Sequence, residues 1–242
     1  MPTALLPSLP TDLQQRLNSA RELIQPYVEP STSPSLVPTE IEALDTLLAG
    51  GLCRGHMIEL IGHRSSGRFS TVLSLLAVIT AAGEAAALID LGNNLDPRQA
   101  ARSGVDLQRL LWIRPRSLKE VLASAETLLT GGFPLVAIDL GTPPVPGGRG
   151  SEASWLRLSR AACSHKAIVF VSSPYRVSGT AAAGVVKASK GRARWTDRIP
   201  TSRLLTGMTS HLRVEKLRGR HGGDSSTLRF ASYEASTFGM AS

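Results

Sequence analysis

Residues 62–71 read Gly62-His63-Arg64-Ser65-Ser66-Gly67-Arg68-Phe69-Ser70-Thr71, after a short apolar run and ahead of a segment with helical periodicity. That is the setting of a phosphate-binding loop, in which backbone N–H groups and a helix N-terminus converge on an anion. Phosphoryl transfer asks for more. A lysine after the second glycine reaches the β- and γ-phosphates, and the Ser or Thr that follows binds magnesium through its hydroxyl. Arg68 and Phe69 stand at those places. Arg68 keeps the charge, but its planar fork does not fit a slot shaped for lysine. Phe69 offers a metal no oxygen, and Ser70 points about 100° further round the helix. Metal binding is therefore expected to fail. Two readings of the loop stay open. Gly62 and Gly67 serve only the backbone freedom of a strand-to-helix turn, or Gly62, Ser65, Ser66, Gly67 and Arg68 are a remnant cradle that holds a nucleotide or other anion weakly, without turnover.

No other constellation points to catalysis. Cys53 and Cys163 have no zinc-like spacing and are expected to be buried small hydrophobes in a reducing compartment. His165, His211 and His221 are scattered, and no Ser, Cys or His stands in a nucleophilic arrangement. No metal site is expected.

Alternating elements must position the loop. Short apolar runs at 57–61, 85–90, 111–113, 135–140 and 167–172 read as buried strands, with helical periodicity between them, as at 117–129. This order predicts an α/β fold, a mainly parallel sheet with helices on both faces. The runs 211–217 and 227–232, separated by a turn-rich stretch, predict a C-terminal antiparallel hairpin. Before the core, Thr11 and Gln14 form a capping box, and Leu13, Leu17, Ala20 and Ile24 recur on one helical face, a candidate partner contact. Prolines at 26, 30, 34 and 38 then make an extended connector. The expected organisation is 1–38 helix and linker, 39–232 core, and 233–242 tail. The apolar stretch 72–89 is broken by Ser74, Thr80, Gly83 and Glu84 and reads as helix, turn and strand rather than a membrane span. The first ten residues lack the pattern of a signal peptide, so a soluble, cytoplasmic protein is expected.

The surroundings of the loop resemble a known superfamily. Thr39-Glu40-Ile41-Glu42-Ala43-Leu44-Asp45 with Gly50-Gly51-Leu52-Cys53-Arg54-Gly55 is similar to the lead-in of RecA-family ATPases. The segment from Leu88-Ile89-Asp90 to Leu95-Asp96-Pro97 is similar to their second-strand motif, and Leu135-Val136-Ala137-Ile138-Asp139 to Walker B. The resemblance implies a RecA-like P-loop NTPase core. It also implies that Gly92 stands where the family carries the glutamate that activates water, leaving Asp139 alone of the hydrolytic set, with as good a claim to a structural role. Loss of a positioned base is worth roughly 10²–10⁴ in rate. Within the superfamily, the string from Arg64 to Ser70, Ala86-Ala87-Leu88-Ile89-Asp90-Leu91-Gly92 and Leu110-Leu111-Trp112-Ile113-Arg114-Pro115 resemble the bacterial ImuA group, RecA-like accessory proteins of a damage-inducible mutagenesis cassette. The partners this implies are an ImuB-like polymerase adaptor, through it an error-prone polymerase, and RecA itself.

The chain has 242 residues, 42% of them hydrophobic, and a net charge of +8. Residues 187–229 hold eleven Lys or Arg against three acids, an excess equal to that of the whole chain. The resemblance makes residues 142–151 and 175–194 counterparts of mobile DNA-binding loops. Lys187, Lys190, Arg192 and Arg194 beside Trp195 combine phosphate-seeking charge with a stacking ring; Lys216, Arg218 and Arg220 are further candidates. The competing reading puts Lys187 and Lys190 on a solvated helix face and Trp195 in the core. The function expected is a non-catalytic accessory of DNA-damage tolerance and translesion synthesis, with no required cofactor. The alternatives are an unusual DNA-dependent ATPase and a sequence-independent binder of single-stranded DNA.

Overall fold

A computed structural model describes residues 35–148, 150–195, 205–219 and 222–231. The partner-helix candidates Leu13, Leu17, Ala20 and Ile24, the candidate Arg220, His221 and the tail 233–242 lie outside the described residues.

Among the described residues, six strands are parallel: β3 (Met57–Gly62), β4 (Ala86–Asp90), β5 (Leu110–Ile113), β6 (Leu135–Asp139), β7 (Ile168–Ser173) and β8 (Gly184–Ala188). Three more run antiparallel: β9 (Arg192–Trp195), β10 (Leu205–Leu217) and β11 (Ser225–Ala231). The order is β11-β10-β8-β3-β7-β6-β4-β5, with β9 pairing the first part of β10 so that it continues the line of β8. The strands read from apolar runs are found within a residue of their expected ends. The hairpin is also present, with β10 beginning six residues before the run that announced it. A two-residue ladder joins β1 (Leu36–Val37) to β2 (Leu52–Cys53), so the end of the expected linker already pairs with the core.

Burial on both faces explains the unbroken apolar strands. On β6, Val136 and Ile138 enter one cluster and Leu135 and Ala137 the other, all at 0% exposure. The first cluster is closed by α4 (Leu118–Thr130) and α5 (Glu152–Ser164), whose Val121, Leu122, Ala125, Leu128, Leu129, Trp155 and Leu158 recur at helical spacing. The second is closed by α1 (Glu42–Leu47) and α2 (Arg68–Ala81). Side-chain oxygens cap the helices: Asp96 accepts from Arg98 N at the start of α3 (Pro97–Arg102), Ser117 from Glu120 N, and Ser151 from Ser154 N.

The cysteines depart from expectation: Cys163 is exposed on α5 and Cys53 is half-buried, because both sit at the ends of elements rather than on core-facing positions. Among the described residues no helix is long and apolar enough to cross a membrane.

Candidate functional site: the loop, the strand ends and an open basic sheet face

The loop from Gly62 to Gly67 joins β3 to α2. Gly67 is left-handed (φ 92°), and a Cβ there would come within 2.5 Å of the Phe230 ring, so conformation and packing both require glycine. Gly62 differs from the sequence reading. Its φ is not positive; its demand is for space, since a Cβ would lie 2.8 Å from the Ala188 carbonyl. The loop is also tied sideways, because Gly191 N donates to the Ser65 carbonyl at 2.9 Å.

The Arg68 side chain folds inward to 7% exposure. Nη1 donates to Ser172 Oγ at 2.8 Å and Nη2 to the Gly141 carbonyl at 2.8 Å, while Nη1 lies 3.7 Å from Asp139 Oδ1. Ser172 Oγ donates in turn to Asp139 Oδ1 at 2.6 Å, and Asn94 Nδ2 to Asp139 Oδ2 at 2.7 Å. Both carboxylate oxygens of Asp139 therefore have protein donors. Burial pushes the Asp139 carboxyl above the usual range, outweighing the opposite pull of Ser172, Asn94 and Arg68; burial likewise lowers Arg68, against Asp139. Ser66 Oγ and Arg68 Nε are buried without a protein partner among the described residues. Phe69 packs against the second core cluster, and the Thr71 hydroxyl donates to the Gly67 carbonyl. An open cleft of about 350 Å³ remains above the loop, between His63, Arg64, Asn94, Thr142 and Met208.

At position 92 a side chain has no room. A Cβ would stand 2.4 Å from Asn94 Nδ2 and 2.6 Å from Gly141 Cα. Neighbouring Asp90 is buried and accepts from Asn94 N, Leu95 N and Trp112 Nε1. Among the described residues no group of three or more His, Cys, Asp or Glu could hold a metal.

Neither loop expected to be mobile is free. Val145 is buried in the first cluster, and Leu118 N donates to the Pro146 carbonyl, folding 142–148 onto α4. Segment 175–194 contains β8 and β9, and its start is latched by Glu59, fully buried on β3. That carboxylate accepts from Ser173 Oγ, Val177 N, Ser178 N and Ser178 Oγ.

The basic candidates are placed by strand pairing. Lys187 is on a strand, not a helix, directly opposite Arg213, which is opposite Ser225. Arg192 and Arg229 both oppose Thr209, and Arg194 opposes Gly207. Because alternate residues share a face, Lys187, Arg192, Arg194, Arg213 and Arg229 all lie on one side of the sheet. The opposite side of β10 and β11 carries Leu212, Val214, Leu228 and Phe230 and packs with α1 and α2 in the second core cluster. Lys190 is exposed in the turn between β8 and β9. Trp195 is not a core anchor: it is 50% exposed, opposite the equally open Leu205. Lys216 is committed to the protein, its ammonium donating to the Thr180 and Ala182 carbonyls, and burial lowers its pKa. Arg218 is exposed beyond β10. Arg229 is the member of this face that sequence reasoning does not single out, although period-two alternation along 225–231 carries the signal.

A parallel sheet with this loop and this antiparallel extension is RecA-like in fold. The crystal structure of the RadB recombinase superposes with a TM-score of 0.59 at 17% identity, covering 80% of this chain and 94% of that one. Residues 29–147 match the RecA N-terminal domain family. Over 114 residues, 46% of this chain, there is 40% identity to protein RecA of Mycobacterium marinum; over 117 residues, 48% of this chain, there is 37% identity to that of Lactobacillus delbrueckii subsp. bulgaricus. The matched part spans about a third of each relative, 33% and 35% respectively. The described residues thus share the RecA-like fold, and residues 29–147 are similar in sequence to the N-terminal domain of RecA proteins.

Proposed function

We propose that this chain is a non-catalytic RecA-like accessory protein of DNA-damage tolerance, akin to the ImuA group, that joins an ImuB-like polymerase adaptor and RecA to damaged DNA. One observation carries the non-catalytic part. The Arg68 guanidinium lies against Asp139 and Ser172, and residue 92 has no space for a base, so the groups that would hold magnesium and activate water are replaced by an internal hydrogen-bonded network. Losing both metal and base removes several kcal/mol of transition-state stabilisation. The match to RecA proteins supports a role beside DNA, and the ImuA-like strings around the loop favour translesion synthesis over recombination. Two measurements test the reading. Co-purification with an ImuB-like adaptor is expected from damaged cells, and phosphate release from ATP and magnesium is expected to stay at background with or without DNA. DNA-stimulated turnover that disappears in Arg68→Ala would make the chain an ATPase instead.

A second reading, sequence-independent binding of single-stranded DNA, is favoured by the open face bearing Lys187, Arg192, Arg194, Arg213 and Arg229. Such a surface grips phosphates without reading bases. It is compatible with the first reading, since an accessory protein can hold both DNA and an adaptor.

A further inference from the structure

Arg68 does more than occupy a vacated catalytic position. Asp90 and Asp139 are register partners at the ends of β4 and β6, and both are buried. Among the described residues the buried cation beside Asp139 is Arg68, reaching across from α2. Its two nitrogens bridge different parts of the chain, the Ser172 hydroxyl at the end of β7 and the Gly141 carbonyl just after β6, 104 and 73 positions away in sequence. Gly141 is itself left-handed (φ 67°), and a Cβ there would stand 2.6 Å from Gly92 Cα, so the two backbones pass too closely for a side chain on either. From Gly141 the chain continues into the segment that buries Val145.

Resting on the non-catalytic reading, we propose that Arg68 is a tethered cation that clamps the ends of β6 and β7 and holds residues 141–148 in one conformation without any bound ligand. A planar group with donors on both nitrogens can span a hydroxyl and a carbonyl while lying beside the Asp139 carboxylate. An ammonium has the charge but not the span. The protein is then locked in a single state, and its partners meet a surface that does not vary with nucleotide level.

The test is amide hydrogen exchange on the full chain, with ATP turnover measured in parallel. In Arg68→Ala, protection of the amides of Leu140 and Gly148, and of Leu118, which donates to the Pro146 carbonyl, is expected to fall at least tenfold while β8 and β10 are unchanged. Methylguanidinium at millimolar concentration is expected to restore it saturably, by occupying the emptied space, whereas methylammonium at the same concentration is expected not to. Arg68→Lys is expected to resemble Arg68→Ala. Should Arg68→Ala not fold, Ser172→Ala keeps the charge and removes one anchor, with about a threefold loss expected in the same amides. Unchanged protection in a folded Arg68→Ala or Ser172→Ala, equal rescue by both cations, or a change in 141–148 of the wild type on adding ATP and magnesium would overturn the clamp. Turnover of ATP with the clamp responses intact would overturn the non-catalytic reading alone, and an unresponsive loop without turnover the clamp alone.

Discussion

Asn94 donates a 2.7 Å hydrogen bond to the Asp139 carboxylate from the very space that a side chain on residue 92 would enter. Replacing Gly92 therefore disturbs more than one residue. Gly92→Ala is expected to cost about 1–3 kcal/mol, the usual range for overpacking a filled interior. Urea unfolding measures it, and a change under about 0.5 kcal/mol, well below that range, would mean the neighbours yield easily. By the same geometry, restoring a hydrolytic set with Arg68→Lys, Phe69→Thr and Gly92→Glu together is expected to give no ATPase, because the glutamate cannot be seated.

Asp139 also predicts a pH dependence. Its folded pKa lies above the ordinary value of 3.8, so it favours the folded state most below that value, and the benefit is lost as pH rises through the folded pKa. Asp139→Asn removes this titration. The stability of the wild type relative to Asp139→Asn is expected to decline as pH rises from about 3.8, read from urea midpoints across the acid range. A difference that is flat or grows with pH contradicts the burial argument.

Glu59 holds four donors inside the protein. Glu59→Ala leaves the Ser173 and Ser178 hydroxyls and two backbone N–H groups without their acceptor, at roughly 1–3 kcal/mol for each unsatisfied group. A loss of about 3 kcal/mol or more in unfolding free energy is expected, with faster amide exchange at Val177 and Ser178. Glu59→Gln, which keeps one acceptor oxygen, is expected to lose less.

The basic sheet face predicts binding that is sensitive to salt. Lys187→Ala with Arg213→Ala, or Arg192→Ala with Arg229→Ala, is expected to weaken association with oligo-dT and to flatten the dependence of log affinity on log salt by about 0.7 for each phosphate that is no longer neutralised. Lys216→Ala is expected to leave that slope unchanged and to lower stability instead, since its ammonium serves two carbonyls. Fluorescence anisotropy at several salt concentrations separates the two effects.

The sequence was a good guide where side chains meet one uniform environment. Strands such as Met57–Gly62 and Leu135–Asp139 are buried on both faces, so they appear as unbroken apolar runs. It was a poor guide to β8 and β9, where Lys187 and the alternating Arg192-Ala193-Arg194-Trp195 face solvent and read as a basic loop. The first residues of β10, Leu205 to Ser210, are likewise too polar to announce a strand. At the site, the residues departing from the phosphate-loop pattern were visible at once. What Arg68 does was not, because the groups that turn it inward, Gly141 and Ser172, are distant in sequence and of ordinary type.

Gly191 has no side chain, and a Cβ there would stand 2.2 Å from the Ser65 carbonyl that its N–H reaches. This bare position welds the turn between β8 and β9 to the loop below α2. The charged turn and the loop that precedes α2 are therefore held at backbone contact, a closeness that a side chain on residue 191 would break.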